Sequence, residues 1–143
     1  MLRAAEPYNL LKAYRQAHKR ADLMLDIDDK VLAYNNIINY CTSRSECRND
    51  ESIKHHQILF WTYNNIGDMF MIKNAKHPNR QNYLQALQYY HDSLSFAHTA
   101  SEKRATLEKI AHIYTEIHDE TGRRKILEQI AISEENCMKR QAF

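Results

Sequence analysis

Glu108, His112 and Glu116 recur at four-residue steps, and on a helix such steps set side chains about 6 Å apart on successive turns. A His flanked by two carboxylates in this way can in principle hold a divalent cation. The His-Glu-x-x-His arrangement of helical zinc sites is absent, however, so the trio reads as a solvated face with ion-pair partners. Asp26, Asp28 and Asp29 alternate somewhat as in a calcium loop. The Gly and bidentate Glu that such a loop requires are missing at loop spacing, and helix capping accounts for the aspartates. His55, His56, His91 and His98 read as surface residues. Cys41, Cys47 and Cys137 are odd in number and follow no C-x-x-C spacing, which argues against a disulfide framework or a structural zinc site and fits a reducing compartment. No nucleophile with its base, no paired carboxylates and no Gly-rich phosphate cradle stands at a diagnostic spacing. The expectation is a protein without catalytic residues, metal or cofactor.

Basic residues gather in three places: Lys12, Arg15, Lys19 and Arg20; Lys73, Lys76 and Arg80; and Arg123, Arg124 and Lys125. Each group is small and interspersed with acidic residues. With 20 Lys+Arg against 18 Asp+Glu the net charge is only +2, whereas a nucleic-acid binder is expected to carry a strongly basic face. Ordinary solvation or acidic protein partners are preferred to RNA or DNA, and contact with nucleic acid or a transcription factor is kept as the alternative. Glu6 and Pro7 stand where a secretory signal would need its apolar run, and no window approaches 18 uncharged apolar residues. A cytoplasmic protein with no membrane association is expected.

The elements that must position these residues are helices. A chain of 143 residues has room for one domain, 1–143, with one continuous core. Two Gly and two Pro leave almost no material for the turns of a β-sandwich. Apolar stripes at three- and four-residue steps mark six helices. Their residues are Leu10, Leu11, Tyr14, Ala17, Ala21 and Leu25; Val31, Ala33, Tyr34, Ile37, Ile38 and Cys41; Leu59, Tyr63, Ile66, Gly67 and Phe70; Tyr83, Ala86, Leu87, Tyr90, Leu94 and Ala97; Leu107, Ile110, Ala111 and Tyr114; and Ile126, Leu127, Ile130 and Ala131. Residues 42–50 read as a loop, Asp50 or Ser52 as the cap of the third helix, 74–82 as a break around Pro78, Ser101 as the start of the fifth helix and Gly122 as a left-handed C-cap.

Short connections pair these helices into three antiparallel hairpins, roughly 8–42, 51–99 and 102–138. Tyr63, Ile66, Gly67 and Phe70 answer to Leu107, Ile110, Ala111 and Tyr114 with identical spacing, and the small residue of each set admits a close neighbour. Tyr34-Asn35-Asn36-Ile37 also repeats as Tyr63-Asn64-Asn65-Ile66, but the loop between them is too short for that register, and the match reads as coincidence.

Tyr63-x2-Ile66-Gly67-x2-Phe70 followed by Tyr83-x2-Ala86-Leu87-x-Tyr89-Tyr90-x2-Ser93-Leu94 resembles the tetratricopeptide repeat (TPR), whose 34-residue unit pairs W-x2-L-G-x2-Y with A-x3-F. The third hairpin matches on its first helix; the first hairpin matches more weakly, with His18 at the place of the small residue. The segment between Phe70 and Tyr83 is about seven residues longer than the family's turn. The resemblance implies an all-α fold of three antiparallel hairpins stacked as a short right-handed solenoid. First helices would then line a concave groove that binds a protein or peptide segment, as an adaptor or chaperone does. The groove would be lined by Lys12, Arg15 and Lys19 on the first helix, by Trp61, Asn64, Asp68 and Met71 on the third, and by Glu108, His112 and Thr115 on the fifth. Trp61, the only Trp, is either an interface anchor in this groove or a structural residue between hairpins. Arg15 followed by Lys19 does not reproduce the family's carboxylate clamp. The apolar Ile126, Leu127, Ile130 and Ile132 would be capped by Met138 and Phe143 or by a second copy, giving a homodimer through the C-terminal helix.

Overall fold

A computed structural model describes residues 10–23, 26–43 and 53–141. Six helices make up almost all of them, and no strand occurs among the described residues. They are α1 (Leu10–Leu23), α2 (Ile27–Ser43), α3 (Ile53–Lys76), α4 (Arg80–Leu94), α5 (Ala100–Glu116) and α6 (Glu120–Gln141). Each helix packs on the next in sequence, and α1 also touches α3. Residues 44–50, the caps Asp50 and Ser52, Leu25 and Phe143 lie outside the described residues, as do the side chains of Leu10, Leu11, Tyr14, Ala17, Ala21 and Met138.

Asp26, directly before α2, acts as its cap, while Asp28 and Asp29 lie in the first turn. The Asp26 carboxylate accepts a bond from Asp28 N–H at 2.9 Å, satisfying one of the donors that a helix start leaves over. The expected break at 74–82 narrows to residues 77–79. Helix α3 runs on to Lys76 because no breaker precedes Pro78, so residues expected in a long turn become additional helix. Three asparagines close the corner. Asn79 N–H donates to Asn74 Oδ1 at 2.9 Å, the Asn79 side chain accepts from Gln81 N–H at 2.9 Å, and Asn82 Nδ2 donates to the His77 carbonyl at 3.2 Å. Helix α5 begins earlier than Ser101. Thr99 is the N-cap of a reciprocal capping box, its hydroxyl accepting from Glu102 N–H at 3.1 Å while Glu102 Oε1 accepts from Thr99 N–H at 3.1 Å.

Gly122 is not the left-handed cap between α5 and α6. That conformation belongs to His118, at φ 60°, where bonds from His118 N–H to Thr115 O and from Asp119 N–H to Tyr114 O close a Schellman turn. Gly122 lies within the first turn of α6 and donates its N–H to Asp119 Oδ1 at 2.9 Å. A Cβ there would stand 2.6 Å from the Tyr114 ring, and one on Gly67 would stand 2.5 Å from the Tyr90 ring. Both glycines therefore serve close approach, as expected for Gly67.

The apolar stripes of α2 to α6 meet in two clusters. Tyr34, Ile37, Ile38, Cys41, Ile58, Leu59 and Ile66 form the first, and Ala86, Tyr90, Leu107, Ile110, Ile113 and Ile126 the second; Phe70 packs against both. Tyr34 is buried and Tyr63 only half-buried, while Asn64 is buried and Asn35 half-buried. The repeated tetrapeptide thus occupies two different environments. On α6, Ile126 is buried and Ile130 half-buried, whereas Leu127 and Ile132 are exposed.

Candidate recognition pocket

Helix α3 sets Asn64 and Asp68 one turn apart, and α5 brings Lys109 up to both. The Lys109 ammonium donates to Asn64 Oδ1 at 2.6 Å and to Asp68 Oδ1 and Oδ2 at 3.0 and 3.3 Å. It also sits 5.4 Å from the centre of the Tyr90 ring, within range of a cation–π attraction. The Tyr90 hydroxyl, reaching across from α4, donates to Asp68 Oδ1 at 2.5 Å. Burial first, and then this bond to Asp68, push the Tyr90 pKa well above its ordinary value of 10.0, so the phenol stays neutral and remains a donor. Asn64 completes the network by donating to Ser93 Oγ at 3.2 Å and to Thr106 Oγ1 at 2.8 Å. The bonds cross three helices and leave Asn64, buried within them, with internal partners for both ends of its amide, which a low local dielectric strongly favours.

Above this network lies an open pocket of about 510 Å³, lined by Asp68, Met71, Tyr90, Ala105, Glu108, Lys109 and His112. Glu108 is oriented from the side, because Arg104 Nε donates to its Oε1 at 3.1 Å while Arg104 also reaches Glu134 of α6 at 2.7 Å. His112 Nε2 stands 4.0 Å from Glu116. Among the described residues no three His, Cys, Asp or Glu side chains gather closely enough to hold a metal ion.

The structure thus brings together Asp68, Met71, Glu108 and His112 of the expected groove lining, and not Thr115. Asn64 needs correction: expected in the lining of the groove, it is buried at 8% exposure and its amide is spent within the fold. Trp61 is 37% exposed on α3 and does not line the pocket. Lys12, Arg15 and Lys19 are exposed on α1, which packs on α2 and α3, and are likewise apart from the pocket. Lys109 and Tyr90 escaped the sequence reading, Tyr90 because it was assigned wholly to the packing stripe. Lys109 directly follows Glu108, and only the docking of α5 on α3 turns it inward. Among the other basic groups, Lys73 pairs with Asp28 at 3.1 Å and Arg123 with Glu120 at 3.3 Å.

No protein-family model, no curated protein and no solved structure matches the chain. No described helix is long and apolar enough to cross a membrane.

Proposed function

We propose that the chain is a cytoplasmic protein-interaction scaffold, an adaptor or chaperone, built as a short right-handed TPR-like solenoid that holds a segment of another protein along α1, α3 and α5. The observation that carries this reading is the pocket itself. Asp68 and Met71 of α3 and Glu108 and His112 of α5 face one hollow, while the Asn64 amide, the Tyr90 hydroxyl and the Lys109 ammonium beneath it donate within the network. A surface whose supporting shell is already bonded is preorganised, and preorganisation lowers the ordering cost of binding. The sequential packing of helices, the contact of α1 with α3 and the side-chain bonds from α3 to α5 support first helices lying side by side. Half-exposed Trp61 would then supply an anchor on the same helix.

The test is selection of binders from a displayed random-peptide library, followed by affinity measurement on Trp61→Ala and Arg15→Ala. Enriched peptides should lose on the order of tenfold or more in affinity to each variant while far-UV circular dichroism stays unchanged. Failure to enrich any peptide, or loss of helix content in place of loss of binding, would reject the scaffold reading.

A further inference from the structure

The donors of Lys109 and Tyr90 in the pocket are already engaged. Lys109 Nζ serves Asn64 Oδ1 and both oxygens of Asp68, and the one proton of the Tyr90 hydroxyl goes to Asp68 Oδ1. The pocket's acceptors are not exhausted. Each carboxylate oxygen can accept two bonds; Asp68 Oδ2 receives only the longer of the two Lys109 contacts, and Glu108 receives Arg104 at Oε1 alone among the described residues. The charges agree: Lys109 pairs with Asp68, and Arg104 at the rim is shared between Glu108 and Glu134, so three carboxylates meet two cations. Beside these acceptors, Met71, Ala105 and the Tyr90 ring present apolar surface.

We propose that this pocket, between α3, α4 and α5, is a subsite for an arginine side chain carried by the bound segment. The proposal rests on the scaffold reading and names the side chain that reading leaves open. An arginine fits on three counts. Its methylene stem can lie along Met71 and Ala105 while the charged head bonds outward groups. Its planar fork carries five donors and can meet acceptors at more than one place, where a lysine offers a compact point charge. Its charge completes the balance that Lys109 and Arg104 together leave one short. A glutamate or aspartate in the same pocket would meet cations already paired, Lys109 with Asp68 and Arg104 with Glu108 and Glu134.

The test needs no natural partner. N-acetyl-arginine methylamide, and the citrulline and glutamate counterparts as controls, are titrated into the isotope-labelled chain while backbone amide resonances are followed by NMR. The arginine compound should give saturable shifts centred on residues 68–71 and 105–112. Citrulline, equal in shape but uncharged, should bind about tenfold more weakly, as loss of a charge-assisted hydrogen bond implies. Glu108→Gln should weaken arginine binding by a similar factor and leave the fold intact, because Glu108 makes only an exposed ion pair with Arg104. Equal binding of citrulline, shifts centred elsewhere, or an unaffected Glu108→Gln variant would overturn the subsite. Selected peptides that bind without a basic residue, and whose affinity ignores Glu108→Gln, would also overturn it while sparing the scaffold. Failure to select any peptide would sink the scaffold and leave the titration to decide the subsite.

Discussion

Lys109 holds more of the molecule together than its half-buried position suggests, because its ammonium meets an amide oxygen and a carboxylate on α3 and an aromatic ring on α4. Replacing it with Met keeps the stem and deletes the charge, stranding the buried Asn64 oxygen and leaving Asp68 with the Tyr90 hydroxyl as its remaining donor. Lys109→Met should therefore cost about 1–3 kcal/mol of unfolding free energy, read from urea titrations. A second residue links stability to pH. Half-buried His91, 3.5 Å from the Tyr114 hydroxyl, has its pKa lowered by burial, against an opposing pull from Asp92. A lowered value means that the folded state prefers the neutral ring. The stability it contributes is present above its ordinary pKa of 6.5 and is lost as pH falls from there through the folded value. Urea midpoints should drop below about pH 6.5, and His91→Gln should make that drop shallower.

At the scale of elements, the corners decide where helices end. Gly122 attracts attention in a chain with only two glycines, yet the left-handed residue between α5 and α6 is His118. A non-glycine residue in that conformation bears a steric cost of about 1–2 kcal/mol, from its Cβ crowding the following carbonyl. His118→Gly should recover about 1 kcal/mol of this, partly offset by the greater freedom of glycine in the unfolded chain. The check is a rise of a few degrees in Tm. Thr99 and Glu102 show a legible signal passed over: Thr-x-x-Glu before an apolar run is the capping-box pattern, and it places the start of α5 correctly where Ser101 does not.

Across the whole molecule, two hydrophobic clusters are joined through Phe70, which packs against both. The rings of Phe70 and Tyr89 stack at 5.7 Å, and those of Tyr63 and Phe96 at the same distance, so aromatic rings join α3 to α4 and to the turn that follows it. Phe70→Ala should cost about 3 kcal/mol, at the lower end for a truncated core Phe because the residue is only half-buried. It should also broaden the thermal transition as the halves decouple, a result calorimetry would record as a calorimetric enthalpy exceeding the van't Hoff value.

The all-helical class, the six helices and the aspartate cap of α2 are legible in the sequence because they depend on local causes: side-chain period, scarcity of glycine and proline, and polar residues at helix starts. The nomination of Asp68, Met71, Glu108 and His112 for one surface needed the groove that the TPR resemblance implied, with helical offsets choosing the residues. What remained hidden is the inward turn of Lys109 and the burial of Asn64. Those depend on how α5 docks against α3, through contacts between residues 41 to 45 positions apart. Helical period says which residues share a face, but packing decides which face another helix covers, and with it whether a polar side chain meets solvent or an internal partner.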